Sequence, residues 1–425
     1  MRIRALMLVI IVVMLGDLVF RGVVPSFSAG KNDFTDPFVA GWLWRHGTNP
    51  YEVAQATIAG KQLTGSPMRV VPIYPPTTYM LVAPLSLLSW KWANLVLAAL
   101  ETIAVCGMAL CVLAISRRAL RDDKAWMIIG LILAFASFHT AVHVANISVI
   151  SAVLCALAVY LASRDGDLWA GVLLGVATCL KPHLGIWLFA FYLLRRKWQL
   201  VAAGSVSGLL LLAGSFARIG LPVNTLLANY QTNLHHWFRS GGENDFSLAN
   251  PLRFQLANLQ VVLDPLLGYD GAYAVAFVLA ALGIGIWIYA VRRNPECSTA
   301  LALSSLLALT FLPVYHRTYD TGILTLALAW IFDLDSGESD SRQRLMKRIA
   351  LTLFLLLMLP IQSAAVRAHT YLSPPALRSW WWNFLVAPYT SWTLLAFSAV
   401  LLYALFVSPR AHDLPAPALK GATCG

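Results

Sequence analysis

Residues 91–116 read KWANLVLAALETIAVCGMALCVLAIS, and this run is long and apolar enough to cross a lipid bilayer as one helix. A transmembrane helix needs roughly 20 apolar residues, and the interior of this run holds a single acid, Glu101. The whole chain of 425 residues has the same character, with 59% hydrophobic residues, 12% charged residues and a mean hydropathy of +0.68. Because a soluble domain of this length cannot bury so much apolar surface, the chain is predicted to be an integral membrane protein.

Further apolar runs repeat this pattern, and none shows the ten-residue alternation typical of an outer-membrane barrel. We therefore predict an all-α polytopic membrane protein, a single domain over residues 1–425 with about twelve transmembrane helices. The predicted spans are 4–24, 91–116, 125–142, 147–163, 168–180, 184–194, 199–217, 271–291, 298–314, 321–333, 349–367 and 390–408. Three of them, 168–180, 184–194 and 321–333, are too short to cross alone and are predicted as tilted, broken or re-entrant. No GxGxxG or GxxxxGK[ST] motif follows a strand-like run, which excludes a soluble nucleotide-binding domain.

The formal net charge of +11 is explained by membrane topology rather than by a nucleic-acid partner. Lys and Arg cluster beside the apolar runs, near 2–4, 117–124, 195–197, 292–293, 342–348 and 410, and basic loops stay in the cytoplasm. Placing these clusters inside puts both termini inside and the long segments 25–90, 218–270 and 368–389 outside. Every histidine except His412 then maps to the outer side, which predicts a polar cavity that opens outward.

Two local features of the chain leave structural alternatives. Arg2 and Arg4 before the first run, with small residues at 26–29 after it, also fit a secretory signal, whereas Asp17 and Arg21 within the run favour a retained anchor. The six cysteines form no CxxC pair and lie mostly within predicted spans. We therefore predict neither a metal site nor a disulfide framework from them.

The first outer segment carries two aspartates three residues apart. Asp36 before Pro37 has the pattern of a helix N-cap, with Gly47 ending the helix, and Glu52 has the pattern of a capping-box acid in a second short interfacial helix. Asp33 is left without a capping role. A carboxylate at the mouth of the first span suits a general base, although a solvated loop aspartate is the commoner fate of such a residue.

A series of short motifs follows in a characteristic order. They are Asp33-Phe34, Gly47-x-Asn49-Pro50-Tyr51, Tyr74-x-Pro76, Pro84-Leu85-x-Leu87-Leu88, Leu180-Lys181-Pro182-His183, Asn244-Asp245-Phe246-Ser247 and Tyr315-His316-Arg317-x-Tyr319-Asp320. Together they resemble the bacterial family of polyprenyl-phosphate-mannose-dependent α-1,2-mannosyltransferase-like proteins, from the first span to about residue 332. Ala145-Asn146-Ile147-Ser148 and Asn244-Asp245-Phe246-Ser247 depart from the usual family pattern and leave the acceptor and the sugar open.

The resemblance implies the glycosyltransferase C fold in a bacterial inner membrane and a hexose, by resemblance mannose, moved from a polyprenyl-phosphate sugar to a lipid or glycan acceptor. Such a transfer needs a base for the acceptor hydroxyl and cations for the departing phosphate, and in-line attack with one base gives inversion. Asp33 is the predicted base, and Lys181, His316 and Arg317 are the predicted phosphate ligands. No cofactor or metal ion is expected, because the outer acids form no DxD pair.

The cations also have structural alternatives, since Lys181 could snorkel to the headgroups and Arg317 could simply pair with Asp320. The candidates for sugar or acceptor binding are Asp36, His139, His143, Asn146, His183, Asn244 and Tyr319. The first histidines and Asn146 lie on roughly one face of a span pair, which fits hydroxyl recognition and polar packing equally.

The rival function is a polytopic transporter or flippase of a sugar or lipid-linked sugar, because twelve spans with both termini inside are common among carriers. The chain shows no two-fold repeat of motif or hydropathy, and its long loops lie on one side, which favours the transferase. A polysaccharide polymerase or ligase would use the same donors, but its usual long central outer loop is only partly matched by 218–270. The predicted partners are the lipid-linked donor, the acceptor and the bilayer, with no nucleic acid.

Overall fold

The structure, a computed structural model, describes residues 2–26, 32–65, 67–250, 252–333, 341–359, 371 and 373–408. Within these ranges the regular secondary structure is helical, and the only extended pairing is an isolated antiparallel bridge between Leu256 and Arg317. The α-helices are α1 (Arg2–Ser26), α2 (Thr35–Arg45), α3 (Val53–Thr64), α4 (Pro76–Val82), α5 (Trp90–Ile115), α6 (Asp123–Leu133), α7 (Ala136–Val144), α8 (Ser148–Ala162), α9 (Asp167–Leu180), α10 (Pro182–Leu194), α11 (Trp198–Ile219), α12 (Val223–Phe238), α13 (Gln260–Arg293), α14 (Thr299–Thr310), α15 (Ala327–Ile331), α16 (Ser341–Met358), α17 (Pro374–Arg378) and α18 (Tyr389–Phe406). Short 3₁₀ helices lie at Ala83–Leu87, Arg253–Gln255 and Thr318–Leu326, and a π-helical turn lies at Trp382–Val386.

Six helical segments in the described part of the chain are long and apolar enough to cross a membrane. They are Ile3–Val24, Trp90–Ile115, Asp123–Val144, Trp198–Ile219, Gln260–Arg293 and Tyr389–Phe406. Four shorter apolar helices accompany them: Ser148–Ala162, Asp167–Leu180, Pro182–Leu194 and Thr299–Thr310. The all-helical membrane class is therefore confirmed, whereas the number of about twelve spans is not.

Several predicted spans have a different internal structure. The span at 125–142 is broken into α6 and α7 at Ala134–Phe135, and α13 begins ahead of its predicted start and is kinked at Gly268 (φ 69°). The predicted span at 321–333 is a buried 3₁₀ helix followed by the five-residue α15, since threonines and a glycine in this segment favour a tighter, irregular turn. For the predicted span 349–367, the structure describes α16 up to Met358, and residues 360–367 lie outside the described residues, as does His369.

Glycines allow α9 and α11 to approach at backbone distance. A Cβ atom added to Gly175 would lie 2.0 Å from the Ser207 hydroxyl and 2.6 Å from the carbonyl oxygen of Gly204. This contact fixes α9 along the side of α11, and α9 ends at Leu180, one residue before Lys181.

Aromatic packing fixes the start of α2. Phe34 stacks against Trp90 of α5 with ring centroids 5.9 Å apart, and Phe38, one turn later, meets the same indole edge-on at 5.1 Å. Both phenylalanines are fully buried. The backbone just before α2, which carries Asp33, is thereby anchored to α5 by hydrophobic packing.

Candidate active site

A cavity of about 430 Å³ lies between the N-terminal part of α2, the break between α9 and α10, and the segment after α12. Its polar lining residues are Asn32, Asp33, Asp36, Lys181, His183, Glu243, Asn244 and Arg317. The rest of the lining is aromatic or apolar: Met68, Ile73, Tyr74, Pro75, Leu180, Pro182, Tyr230, Leu234, Trp237, Phe238, Tyr315 and Tyr319. A concave surface with a few converging charged groups on an apolar wall is the usual form of a small-ligand site.

Asp33 is held at this cavity through both its backbone and its side chain. Its N–H donates to the carbonyl oxygen of Val144 at 2.9 Å, and Nδ2 of Asn146 donates to Asp33 Oδ2 at 2.8 Å. Within the described part of the chain, Oδ1 of Asp33 accepts no hydrogen bond. One carboxylate oxygen is therefore fixed by the protein, and the other is available to a ligand.

The first turn of α2 begins one residue before Asp36. Asn32 supplies the local hydrogen bonds, since its Oδ1 accepts from the Phe34 N–H at 3.1 Å and its N–H donates to Thr35 Oγ1 at 3.1 Å. Asp36 lies inside the first turn and lines the cavity, so the predicted N-cap role of Asp36 is wrong. Glu52 stands at the N-cap position of α3 without a side-chain capping bond, so its predicted capping-box role is wrong too.

Lys181 lies where Pro182 interrupts the path from α9 to α10. A helix end leaves its last carbonyl groups without intrahelical partners. Here the hydroxyls of Thr77 and Thr78, at the start of α4, donate to the last two carbonyl groups of α9 at 2.7 and 3.0 Å. The break is thus stabilised by a second segment, which also forms part of the cavity wall.

The ammonium group of Lys181 is buried in an ion pair. Its Nζ donates to Oδ1 of Asp320 at 2.9 Å and also to the hydroxyl of Ser148, and it lies 5.0 Å from the centre of the Tyr319 ring. Burial alone would raise the pKa of the Asp320 carboxyl, but the charge of Lys181 and the neighbouring imidazoles hold that pKa well below its usual range. Since Lys181 is only 5% exposed, the geometry is that of a buried pair and not of a snorkelling side chain.

The guanidinium of Arg317 is fixed mainly by neutral acceptors. Its Nε donates to the Tyr315 hydroxyl at 3.0 Å, and its Nη2 donates to Oδ1 of Asn244 at 3.3 Å, while the Glu243 carboxylate is 4.0 Å away. Asp320 accepts a hydrogen bond from the backbone N–H of Arg317 at 3.1 Å. Its ion pair is with Lys181 and not with the guanidinium of Arg317. The guanidinium of Arg317 thus lines the cavity with mostly neutral hydrogen-bond partners.

His316 lies behind the cavity wall. It is fully buried, its ring stacks on Phe311 with centroids 3.9 Å apart, and it meets the ring of His183 edge-on at 4.8 Å. Burial lowers the pKa of His316 to about 4, which leaves the ring neutral at pH 7. The sequence predicted His316 as a phosphate ligand, but the histidine that lines the cavity is His183.

One cluster has the residue types of a metal site. His183, His316 and Asp320 each place a ligand atom within 4.8 Å of the others, a set that is common around Zn²⁺. The carboxylate of Asp320 is already paired with the ammonium of Lys181, whose charge opposes a divalent cation. The ammonium of Lys181 therefore disfavours a divalent cation at these three residues.

The remaining predicted residues divide into two groups. Asp36, His183, Asn244 and Tyr319 line the cavity together with Asp33, Lys181 and Arg317. Three others do not line it: His139 is buried between the carboxylate of Asp17 and the Leu133 carbonyl, at 2.6 Å from each, His143 is exposed, and Asn146 lies behind Asp33.

Sequence reasoning missed several residues that shape the site. Tyr74 and Tyr315 stood in the quoted motifs without an assigned role, and both line the cavity. Ser148 contacts both Lys181 and Asp320. It stands two residues after Asn146 in a quoted motif, and this pair of polar residues at the start of a buried helix could have identified it from the sequence. The aromatic wall from α12 is not distinguishable by sequence pattern from an interfacial anchor.

Comparison with protein families gives a match over the middle of the chain. A profile described as glycosyltransferase family 87 matches residues 73–313, which is more than half of the chain. The matched segment includes Asn146, Lys181 and Asn244, whereas Asp33 precedes it and Arg317 follows it. No curated protein matches the chain.

Proposed function

We propose that this chain, which belongs to glycosyltransferase family 87, transfers a hexose from a polyprenyl-phosphate sugar to a hydroxyl of a lipid or glycan acceptor. The observation that carries this proposal is the cavity itself. It is lined by the carboxylate of Asp33, which has one free oxygen, and by two cationic side chains, Lys181 and Arg317. Glycosyl transfer requires this combination of a base and a phosphate-binding group.

The reaction assigns each group one task. Asp33 accepts the proton of the acceptor hydroxyl while the hydroxyl oxygen forms a bond to the anomeric carbon of the donor sugar. The bond between that carbon and the phosphate oxygen breaks, and its electron pair stays on the phosphate. A single displacement of this kind inverts the configuration at the anomeric carbon.

The departing phosphate needs charge stabilisation and no proton donor, because a phosphate leaves readily as an anion. Arg317 offers a guanidinium that suits phosphate oxygens geometrically, and Lys181 offers a compact charge at the helix break. His183 lines the same wall, but its Nε2 is buried and lies 3.7 Å from Oδ2 of Asp320, so we do not count it among the phosphate ligands. We place His316 outside the phosphate ligands, because it is neutral and fully buried.

A lipid-linked donor is supported by the helical membrane frame and by the lack of a nucleotide-binding motif. The side of the membrane follows from charge. Lys181 precedes the first turn of α10, whereas Arg195, Arg196 and Lys197 follow its last turn, so the basic cluster and the cavity lie at opposite ends of that helix. By the positive-inside rule we propose that the cavity faces the outer side of a bacterial plasma membrane. The basic residues near 2–4 and 410 support cytoplasmic termini by the same rule.

The donor can be tested with purified protein and two radiolabelled substrates, polyprenyl-phosphate mannose and GDP-mannose, each offered with extracted membrane lipids as acceptor. Transfer of label from the lipid-linked sugar alone is the expected result. Efficient transfer from GDP-mannose without polyprenyl phosphate would refute the lipid donor. Movement of unreacted lipid-linked sugar across a vesicle membrane, without a new glycosidic bond, would favour the transporter.

A further inference from the structure

Asn146 contacts Asp33 from the side away from the cavity. It is 1% exposed, and its Nδ2 lies 2.8 Å from Asp33 Oδ2 and 3.4 Å from the hydroxyl of Tyr74. The turn that carries it is tight, because Ala145 adopts a left-handed conformation with φ 55° and the Asn146 N–H donates to the Ala141 carbonyl at 2.9 Å. The break between α7 and α8 therefore presents this amide to the base.

The orientation of the Asn146 amide is fixed by Ser148. The backbone N–H of Ser148 donates to Oδ1 of Asn146 at 3.0 Å, and a backbone N–H can only donate. The oxygen end of the amide must then face α8, and the NH₂ end must face Asp33. An NH₂ group at this position hydrogen-bonds an ionised carboxylate and stabilises that form.

The same serine connects the base to the anion site. Its hydroxyl lies 2.5 Å from Asn146 Oδ1 and 2.7 Å from Oδ1 of Asp320, and it also contacts Nζ of Lys181. Since the ammonium is always a donor, the serine oxygen accepts from it and gives its own proton to one of the two neighbouring oxygens. A chain of hydrogen bonds thus runs from the proposed base to the proposed phosphate ligand.

We infer that Asn146 is the positioning residue of the catalytic base: its NH₂ group holds the carboxylate of Asp33 aimed at the acceptor, and Ser148 fixes the Asn146 amide and connects it to Lys181. This role rests on the proposed function of Asp33 and adds to it. It also replaces the sugar contact expected of Asn146 from the sequence, because the side chain does not line the cavity. Asn146 acts through Asp33 and does not touch substrate.

The test is the pH dependence of kcat/KM in Asn146→Asp. The variant is isosteric but sets a carboxyl against Asp33 at hydrogen-bond distance, where two like charges cannot both be ionised easily. The midpoint of the acidic limb should move upward by about one pH unit or more, because Asp33 and the aspartate introduced at position 146 share one proton. Asn383→Asp is the matched control: its Oδ1 accepts from Arg253 at 2.9 Å, it does not line the cavity, and its profile should match the wild type.

A second variant covers a failure of Asn146→Asp to fold. Asn146→Ala removes the donor without adding charge, and the acidic limb should move upward by a smaller amount, with donor KM little changed. A folded variant whose activity falls equally at all pH values, with the wild-type midpoint, would overturn the inference, because packing alone would explain it. Activity retained in Asp33→Asn would refute the proposed function itself, whereas an inactive Asp33→Asn beside unshifted Asn146 variants would refute the positioning role alone.

Discussion

Replacing Lys181 with methionine tests whether its charge serves catalysis or only the folded structure. Methionine keeps most of the length of the side chain and removes the ammonium. The carboxylate of Asp320, which is 1% exposed, then loses its ion partner at 2.9 Å. Removing one member of a buried ion pair typically costs about 3–5 kcal/mol, so a clear fall in melting temperature is expected together with loss of transfer.

A double variant separates the two effects. In Lys181→Met with Asp320→Asn, both buried charges are gone, and replacing a whole buried pair by neutral groups is often close to neutral for stability. Most of the lost stability should therefore return. The kcat of transfer should stay roughly 10²–10³-fold below the wild-type value, because a group that stabilises the charge of the leaving phosphate is still missing.

The assay combines tryptophan-fluorescence melting in detergent with the initial rate of label transfer from polyprenyl-phosphate mannose. The wild type and the Asp320→Asn single variant are run beside the two Lys181 variants. Recovery of both stability and activity in the double variant would refute the reasoning, since Lys181 would then serve only to neutralise Asp320.

The remaining predictions concern the second acid, the metal cluster, a titrating histidine and topology. Asp36→Asn should alter acceptor or sugar KM with a smaller loss of kcat than Asp33→Asn, because Asp36 lines the cavity without being the proposed base; an inactive Asp36→Asn beside an active Asp33→Asn would reverse the assignment. EDTA should leave activity unchanged, and loss with recovery on adding Zn²⁺ or Mg²⁺ would show that His183, His316 and Asp320 bind a cation. The folded-state pKa of His316 is about 4, below 6.5 for the ordinary side chain, so the unfolded chain binds more protons between these values. Stability should therefore fall as pH is lowered from 6.5 to 4, and His316→Phe should weaken that fall in thermal melts. Cysteine labelling should find positions 61, 240 and 318 outside and positions 120, 196 and 293 inside, and an inner label at 240 would overturn the proposed side of the cavity.

The membrane class and the main polar residues were predictable because they depend on composition and on local breaks. An apolar run of twenty or more residues has few alternatives to a transmembrane helix, and Pro182 predicts a break whatever surrounds it. A lysine at such a break is costly in lipid unless it has a partner or a function, which is why Lys181 was identifiable.

The rest of the site depends on long-range contacts that no local pattern carries. Asp320 pairs with Lys181 across 139 positions of sequence, although Arg317 is its nearer neighbour in the chain. Phe34 is the N-cap residue of α2, and Asn32 and Thr35 form the hydrogen bonds of the turn before it, so Asp36 lies inside the first turn and on the cavity wall. Whether a buried histidine such as His316 faces the ligand or packs behind it is likewise decided by tertiary packing.

The central claim is that Asp33 takes the proton of the acceptor, and the most direct measurement is the single-turnover rate of Asp33→Asn with labelled polyprenyl-phosphate mannose bound. Asparagine keeps the size of the side chain and removes its basicity, so the rate should fall by about 10²–10⁴. Donor binding and the melting temperature should stay close to the wild type, because the proposed phosphate ligands lie on other segments. A folded Asp33→Asn protein that transfers sugar at the wild-type rate would contradict the account.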